Sequence, residues 1–150
     1  MRGGWLHNQI VQRLASVLLA LGWQVFVEHP IRVASRVLFA DVYADNGSHT
    51  LLLEVELSPD RVHADIEKAI GAEADVLWIV TPEPRLTSAI HRKAVTCCNN
   101  LRVTNLRIRV CTYGVAVQRL TDLESSGDLR EFPGDIKTRN RSQPGEEQAR

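Results

Sequence analysis

Residues 51–57 (LLLEVEL) are apolar except for Glu54 and Glu56. A short apolar run after a turn sequence, here Asp-Asn-Gly at 45–47, is typical of a buried β-strand in a hairpin. Side chains alternate along a strand, so both glutamates lie on one face of it. Ionised carboxylates in such a strand are costly unless a positive group compensates them. The run therefore predicts a cation or a cationic side chain beside the strand.

The spacing of apolar residues predicts helices and strands around this run. Residues 5–21 have apolar positions at helical spacing, and Gly22 ends the helix. Further strands are predicted over 23–29, 36–44, 75–81 and 107–113, the run itself extends over 50–57, and a helix covers 84–100. Pro30 is expected to end the strand at 23–29. Strands 36–44 and 50–57 are predicted to form a hairpin.

A second helix is predicted directly after the run. Ser58 caps it, Pro59 takes its first position and Gly71 ends it. Its apolar face is expected to contain Val62, Ile66, Ala69 and Ile70. A helix that crosses from strand 50–57 to strand 75–81 makes these two strands parallel.

This order of elements predicts an α/β protein with a mixed sheet flanked by helices. With 150 residues, of which 44% are hydrophobic, the chain has the size of one domain. We place the domain at residues 1–120 and expect the polar residues 121–150 to form a flexible tail. Three cysteines without metal-binding spacing favour a cytoplasmic protein, and no apolar run is long enough to span a membrane.

The charged residues are segregated along the chain, although Lys plus Arg (18) equals Asp plus Glu (18). Residues 41–83 contain ten acidic residues and two basic ones, whereas residues 84–121 contain seven basic residues and no acidic one. Net charge therefore indicates neither nucleic acid nor a membrane, but an acidic cluster next to a basic segment is typical of metal-dependent phosphate chemistry.

A third carboxylate belongs to the strand paired with the run. Asp41 lies in the apolar setting FADVY, and the hairpin can bring it next to Glu54 and Glu56. Magnesium binds one or two carboxylates, a carbonyl oxygen and water, and the carbonyl of Val55 is suitably placed. The sequence therefore predicts a magnesium or manganese site.

The alternative is a structural network of ion pairs. Arg36, Arg61 or Lys68 could neutralise the acids, or the strand could lie at a wetter edge of the sheet. Arg61 and Lys68 are the two cations within residues 41–83, and they face a larger number of acids.

These residues resemble the motifs of the PD-(D/E)XK nuclease superfamily, which has a restriction-endonuclease-like αβββαβ core. Asp41 matches the aspartate of the second strand. Glu54-Val55-Glu56 matches the (D/E)xK motif of the third strand, with Glu56 in place of lysine, as in restriction enzymes of the ExE type. Lys68 falls where many members carry a polar or basic residue on the crossover helix. The resemblance covers roughly residues 5–113.

The resemblance implies metal-dependent hydrolysis of phosphodiester bonds in DNA. Asp41 and Glu54 would hold the metal, and Glu56 would act as general base or as ligand of a second metal. Lys68 or Arg61 would stabilise the charge that develops on phosphate. His7 and Asn8 in the first helix, and Glu28, would either reach this site or serve as surface and capping groups.

Positive residues outside the acidic segment are candidates for contact with DNA phosphates. They are Arg61, Arg85, Arg92, Lys93, Arg107 and Arg109. Arg107 and Arg109 alternate onto one face of a strand and are expected to form a ridge. Ordinary surface charge is the alternative for this whole set.

Two other functions compete with an endonuclease. The first is a degenerate member of the same fold that binds nucleic acid or a protein partner without cleavage. The second is a small α/β module whose acids form ion pairs and which assembles into a larger complex. Many domains of this size dimerise to cut both strands of DNA, so a homodimer or a larger protein complex is a further candidate partner.

Overall fold

A six-stranded mixed sheet with helices on both faces forms the centre of the computed structural model. The structure describes residues 3–103, 105–123 and 134–138. Its elements are α1 (Trp5–Ala20), β1 (Gln24–Val33), β2 (Arg36–Asp45), β3 (Thr50–Val55), a 3-10 turn (Pro59–Arg61), α2 (Val62–Gly71), β4 (Val76–Thr81), α3 (Pro84–Leu101), β5 (Arg107–Thr112), α4 (Tyr113–Asp122) and β6 (Ile136–Lys137). The predicted α/β class with a mixed sheet is confirmed.

The strands lie in the sheet in the order of the chain. β1, β2 and β3 are successively antiparallel, β3, β4 and β5 are parallel, and β6 is antiparallel to β5. The predicted hairpin between β2 and β3 and the parallel crossover from β3 to β4 are therefore confirmed.

Alternate residues of the central strands pack into two cores. On β4, Trp78 lies in the core beneath α1 and α4, whereas Leu77 and Ile79 lie in the core beneath α2 and α3. Every residue of β4 is buried, because both faces of this parallel strand are covered. On β3 the same alternation places Leu53 and Val55 in the first core and Leu52 in the second.

β1 does not end at Pro30, as the sequence predicted, but continues to Val33. It lies at the edge of the described sheet, where a strand has a neighbour on one side and tolerates a residue without an N–H. β3 is shorter than predicted and ends at Val55, although the N–H of Glu56 still donates to the carbonyl of Val80 at 2.9 Å.

The region predicted as a tail begins within α4 and contains β6. Ile136 and Lys137 pair with Ile108 and Arg107 of β5, so residues 134–138 belong to the sheet. The rest of the predicted tail, residues 124–133 and 139–150, lies outside the described residues. Among the described helices, none combines the length and the apolar character needed to cross a bilayer.

Gly71→Ala tests the packing of α2 against β1. A Cβ at Gly71 would lie 2.8 Å from the carbonyl oxygen of Arg32 and 3.2 Å from Cγ2 of Ile31. Although alanine is the better helix former, we expect this crowding to lower the free energy of unfolding by about 1–3 kcal/mol in urea titrations. The control is Gly114→Ala in α4, where a Cβ meets nothing within 4 Å. Equal stability of the two variants would contradict the close approach.

Candidate metal centre

β2 and β3 separate at Asp41. Their ladder runs from Asp45 and Thr50 to Val42 and Leu53. The N–H of Val55, which lies beyond this ladder, donates to Oδ2 of Asp41 at 2.8 Å. Because a buried N–H needs a partner, the Asp41 carboxylate takes the place of a backbone acceptor.

The backbone of β2 is irregular at the same point. Ala40 packs in the core beneath α2 and α3, whereas Val42 packs in the core beneath α1, although regular alternation would place both on one face. On the neighbouring β1, Glu28 has a φ of 53°, in the left-handed region. The β1–β2 ladder continues on both sides of the pair Glu28 and Asp41. The distortion is therefore local and opens the sheet beside Asp41.

A cleft of about 550 Å³ occupies this opening. It is lined by residues from the start of α1, from β2, from the end of β3 and from α2, and these include Asp41, Glu54, Val55, Glu56, Arg61 and Lys68. The structure thus brings the predicted catalytic and metal-binding residues to one cleft. The N–H and C=O of one strand residue point toward the same neighbouring strand, so the carbonyl of Val55 also faces the side of Asp41.

The tightest carboxylate cluster contains one residue that the sequence analysis missed. Glu54, Glu56 and Asp65 each offer an oxygen within 4.8 Å of the others, and all three are buried. Neither carboxyl oxygen of the fully buried Asp65 accepts a hydrogen bond from a donor in the described part of the chain. Asp65 shares the apolar face of α2 with Val62, three residues earlier, and this spacing was the signal that could have identified it.

Lys68 is the cation closest to these acids among the ion pairs of the described residues. Its Nζ lies 3.2 Å from Oε1 of Glu54 and 3.6 Å from Oδ1 of Asp65. Arg36, which the sequence offered as an alternative partner, lies 3.4 Å from Glu67 instead. One ammonium group therefore lies within ion-pair distance of a cluster of carboxylates.

Burial and mutual repulsion favour the protonated forms of these acids. Burial raises the pKa of Glu54 well above its ordinary value, and the charge of Asp41 raises it further, while Lys68 opposes the change. Burial also raises the pKa of Asp65 strongly, with Glu54 adding to the effect, and raises the pKa of Glu56. Burial disfavours the ammonium of Lys68, but Glu54 and Asp65 outweigh it and raise the pKa.

The donor set fits a hard divalent cation. Carboxylate and carbonyl oxygens are the ligands that magnesium and manganese accept, and the cluster lacks sulfur and imidazole ligands among its three members. The buried Asp65 lies in the same cluster, and Lys68, 3.6 Å from its Oδ1, is a cation that Asp65 shares with Glu54. This cluster can therefore hold a metal ion, which would compete with protons for the carboxylates.

The basic residues predicted to contact DNA fall into two groups. Arg61 lies exposed at the cleft, and Arg85, Arg92 and Lys93 lie exposed on α3, which packs against the turn that contains Arg61. Arg85 is paired with Glu83 at 2.9 Å. These four side chains remain accessible to a ligand.

Arg107 and Arg109 share one face of β5, as predicted, but they do not form an exposed ridge. Arg109 is 5% exposed, and its Nε and Nη2 each lie 3.0 Å from a carboxylate oxygen of Asp135. Its guanidinium also lies 4.9 Å from the ring centre of Trp78. Arg107 lies 3.9 Å from Asp135. The pair is therefore an internal ion network, which corrects the predicted role of Arg109.

Comparison with known proteins identifies no family. No family model matches the chain, and no curated protein matches it. Among solved structures, the crystal structure of a protein of unknown function, AF1548, is similar with 15% identity and a TM-score of 0.49. The similarity covers 85% of this chain and 73% of that one. At this level it carries no argument about family or activity.

Asp65→Asn tests whether the metal-free fold tolerates excess charge in the cluster. An unfolded aspartate has a pKa of about 3.9, whereas burial raises the pKa of Asp65 in the fold. The protonated carboxyl of Asp65 contributes to the free energy of unfolding below the unfolded pKa, and this contribution is lost as pH rises through the folded pKa. We therefore expect the variant to have a higher urea midpoint than wild type at pH 8 in chelator, and the difference to shrink toward pH 4.

The matched control is Asp60→Asn, which changes an exposed carboxylate in the turn before α2. Added Mn²⁺ should raise the urea midpoint of wild type and of this control more than that of Asp65→Asn. If Asp65→Asn were less stable than wild type at pH 8 in chelator, Lys68 would already compensate the Asp65 charge.

Proposed function

We propose that this chain is a Mg²⁺- or Mn²⁺-dependent endonuclease that hydrolyses phosphodiester bonds in DNA. The observation that carries the proposal is the convergence of Asp41, Glu54 and Glu56 in one cleft with Lys68 from the crossover helix. Acidic oxygens for a metal and an ammonium for a phosphate are the two requirements of this chemistry.

The order of elements supports a restriction-endonuclease-like core of the PD-(D/E)XK type. From α1 to β4 the chain follows the sequence helix, three antiparallel strands, crossover helix and parallel strand. Asp41 lies in the second strand, Glu54 lies in the third, and Glu56 follows directly after it, at the positions that the resemblance implies.

Asp41, Glu54 and the carbonyl of Val55 would hold the metal, and Glu54 is the ligand that this set shares with the cluster of Glu54, Glu56 and Asp65. The metal would polarise the phosphoryl oxygen and lower the pKa of water. Glu56, whose pKa is raised by burial, suits a general base that accepts the proton of the attacking water. The water oxygen forms a bond to phosphorus, the bond to the leaving sugar oxygen breaks, and that oxygen takes a proton from solvent.

Lys68 and Arg61 supply the positive charge on the substrate side. Lys68 Nζ is held at 3.2 Å by Glu54, so its position is fixed before a phosphate enters. Arg61 lies exposed on the rim of the cleft, and Arg85, Arg92 and Lys93 continue the positive charge along α3. These exposed residues would contact the DNA backbone without reading its sequence.

A binding module without cleavage is the second candidate. The observation that favours it is the placement of Lys68, whose ammonium is already engaged by Glu54 and Asp65, while Glu56 replaces the motif lysine. Such a module would bind DNA or a protein partner and leave plasmid DNA intact. Calorimetric titration with Mn²⁺, followed by plasmid cleavage, separates it from the endonuclease.

Asp41→Asn and Glu54→Gln test the endonuclease directly. Each keeps the size of the side chain and removes a ligand charge, so we expect plasmid cleavage in Mg²⁺ to fall by at least about 100-fold, the scale of losing one transition-state contact. Glu73→Gln, which changes an exposed acid outside the lining of the cleft, should cleave like wild type. Activity like wild type in either site variant would refute the proposal.

Lys68→Met separates cleavage from metal binding. The variant keeps the apolar part of the side chain and removes the ammonium, so cleavage should be lost while Mn²⁺ binds at least as tightly as in wild type. The metal-free variant should lose up to about 3 kcal/mol of stability, because Glu54 loses its partner. Lys93→Met on α3 is the control, with a small loss of DNA affinity expected. Undiminished cleavage by Lys68→Met would exclude a role for this ammonium.

A further inference from the structure

A histidine of α1, which covers the face of the sheet opposite to α2, contacts the candidate metal ligand Asp41. Nε2 of His7, in the first turns of α1, lies 3.1 Å from Oδ2 of Asp41. The two side chains are 15% and 16% exposed, so water screens the contact weakly. The contact joins residues 34 apart in sequence and links α1 to β2.

The chemistry of the two groups decides the direction of this hydrogen bond. An ionised carboxylate only accepts, so Nε2 of His7 carries the proton and donates it. The N–H of Val55 donates to the same oxygen at 2.8 Å. Two donors, Nε2 of His7 and the N–H of Val55, therefore meet at Oδ2, and the carboxyl group of Glu54 lies within hydrogen-bond reach of the same carboxylate.

The imidazole ring is itself held in place. Gly3 has a φ of 80°, and a Cβ there would lie 2.5 Å from Nδ1 of His7. The side-chain amide nitrogen of Asn8 donates to the carbonyl of Gly3 at 3.4 Å, which ties Gly3 to the first turn of α1 beside the ring. The start of α1 therefore fixes the direction in which Nε2 points.

We infer that His7 is a positioning residue, which orients the Asp41 carboxylate for the metal ion without touching metal or substrate. This inference rests on the proposed role of Asp41 as a ligand. Two donors from different elements restrict the rotation of the carboxylate, so its orientation is set before the cation arrives. Groups that orient metal ligands in this way typically contribute about 10–100-fold to metal affinity or activity.

His7→Ala and His7→Gln test this role by calorimetric titration with Mn²⁺ and by plasmid cleavage. His7→Ala removes the donor, and its Mn²⁺ affinity should fall by about 10–100-fold. Glutamine places an amide nitrogen near the position of Nε2, so His7→Gln should bind Mn²⁺ within a few-fold of wild type. His63→Ala, which changes an exposed histidine paired with Glu67, should bind like wild type.

Urea unfolding in chelator accompanies each titration, because a structural role alone would change stability and leave the affinity of the folded protein intact. If His7→Ala does not fold, Gly3→Ala replaces it: the added methyl displaces the ring, and Mn²⁺ affinity should fall while His7 is retained. Mn²⁺ affinity like wild type in His7→Ala or Gly3→Ala, or equal losses in His7→Ala and His7→Gln, would overturn the inference.

The outcomes also distinguish the inference from the proposed function. If wild type binds Mn²⁺ and cleaves, and His7→Ala binds Mn²⁺ equally well, the role of His7 is refuted and the endonuclease is not. Wild type that binds Mn²⁺ without cleaving would refute the endonuclease, and a loss of affinity in His7→Ala would still support the positioning role. Wild type that does not bind Mn²⁺ would refute both.

Discussion

The hydrogen bond from the Val55 N–H to the Asp41 carboxylate is the interaction on which the site depends. It stands where the backbone ladder between β2 and β3 stops, and it satisfies a buried donor that would otherwise cost about 1–3 kcal/mol. The same contact places an anion at the mouth of the opening. Asp41 therefore has two roles, as the acceptor for the Val55 N–H and as a candidate metal ligand. A replacement that keeps an acceptor oxygen is needed to separate them.

Because of the charges in the opening, the stability of the fold and the affinity for a metal ion depend on each other. Glu54, Glu56 and Asp65 are buried within reach of one another, and among the described residues Lys68 is the cation within ion-pair distance of Glu54 and Asp65. Burial raises the pKa of each of these three acids, which favours proton binding by the cluster where no further cation is present. A buried arrangement of this kind lowers the stability of the metal-free protein, which is the usual cost of a preorganised site.

Sequence reasoning predicted the strands that carry Asp41 and Glu54, because alternation along a strand fixes which side chains share a face. It missed Asp65, since an acid in the first turn of a helix is commonly read as solvent-exposed. The buried face of α2 contains Asp65, whereas Ile70, which was placed on that face, is 46% exposed. Arg109 was misassigned for another reason: its partner Asp135 lies 26 residues away, and no local pattern indicates such a pair.

The site draws on both layers of helices, which a continuous sheet would keep apart. His7 comes from α1 on one face, whereas Asp65 and Lys68 come from α2 on the other. His7 contacts Asp41 and Lys68 contacts Glu54, and these two acids come together where β2 and β3 diverge at Asp41. His7, Asp41 and Lys68 are far apart in the sequence, so a metal ion that binds here depends on the native packing of both layers. Its affinity is thereby coupled to folding, and the metal stabilises the native state in proportion to the logarithm of its concentration once the site is saturated.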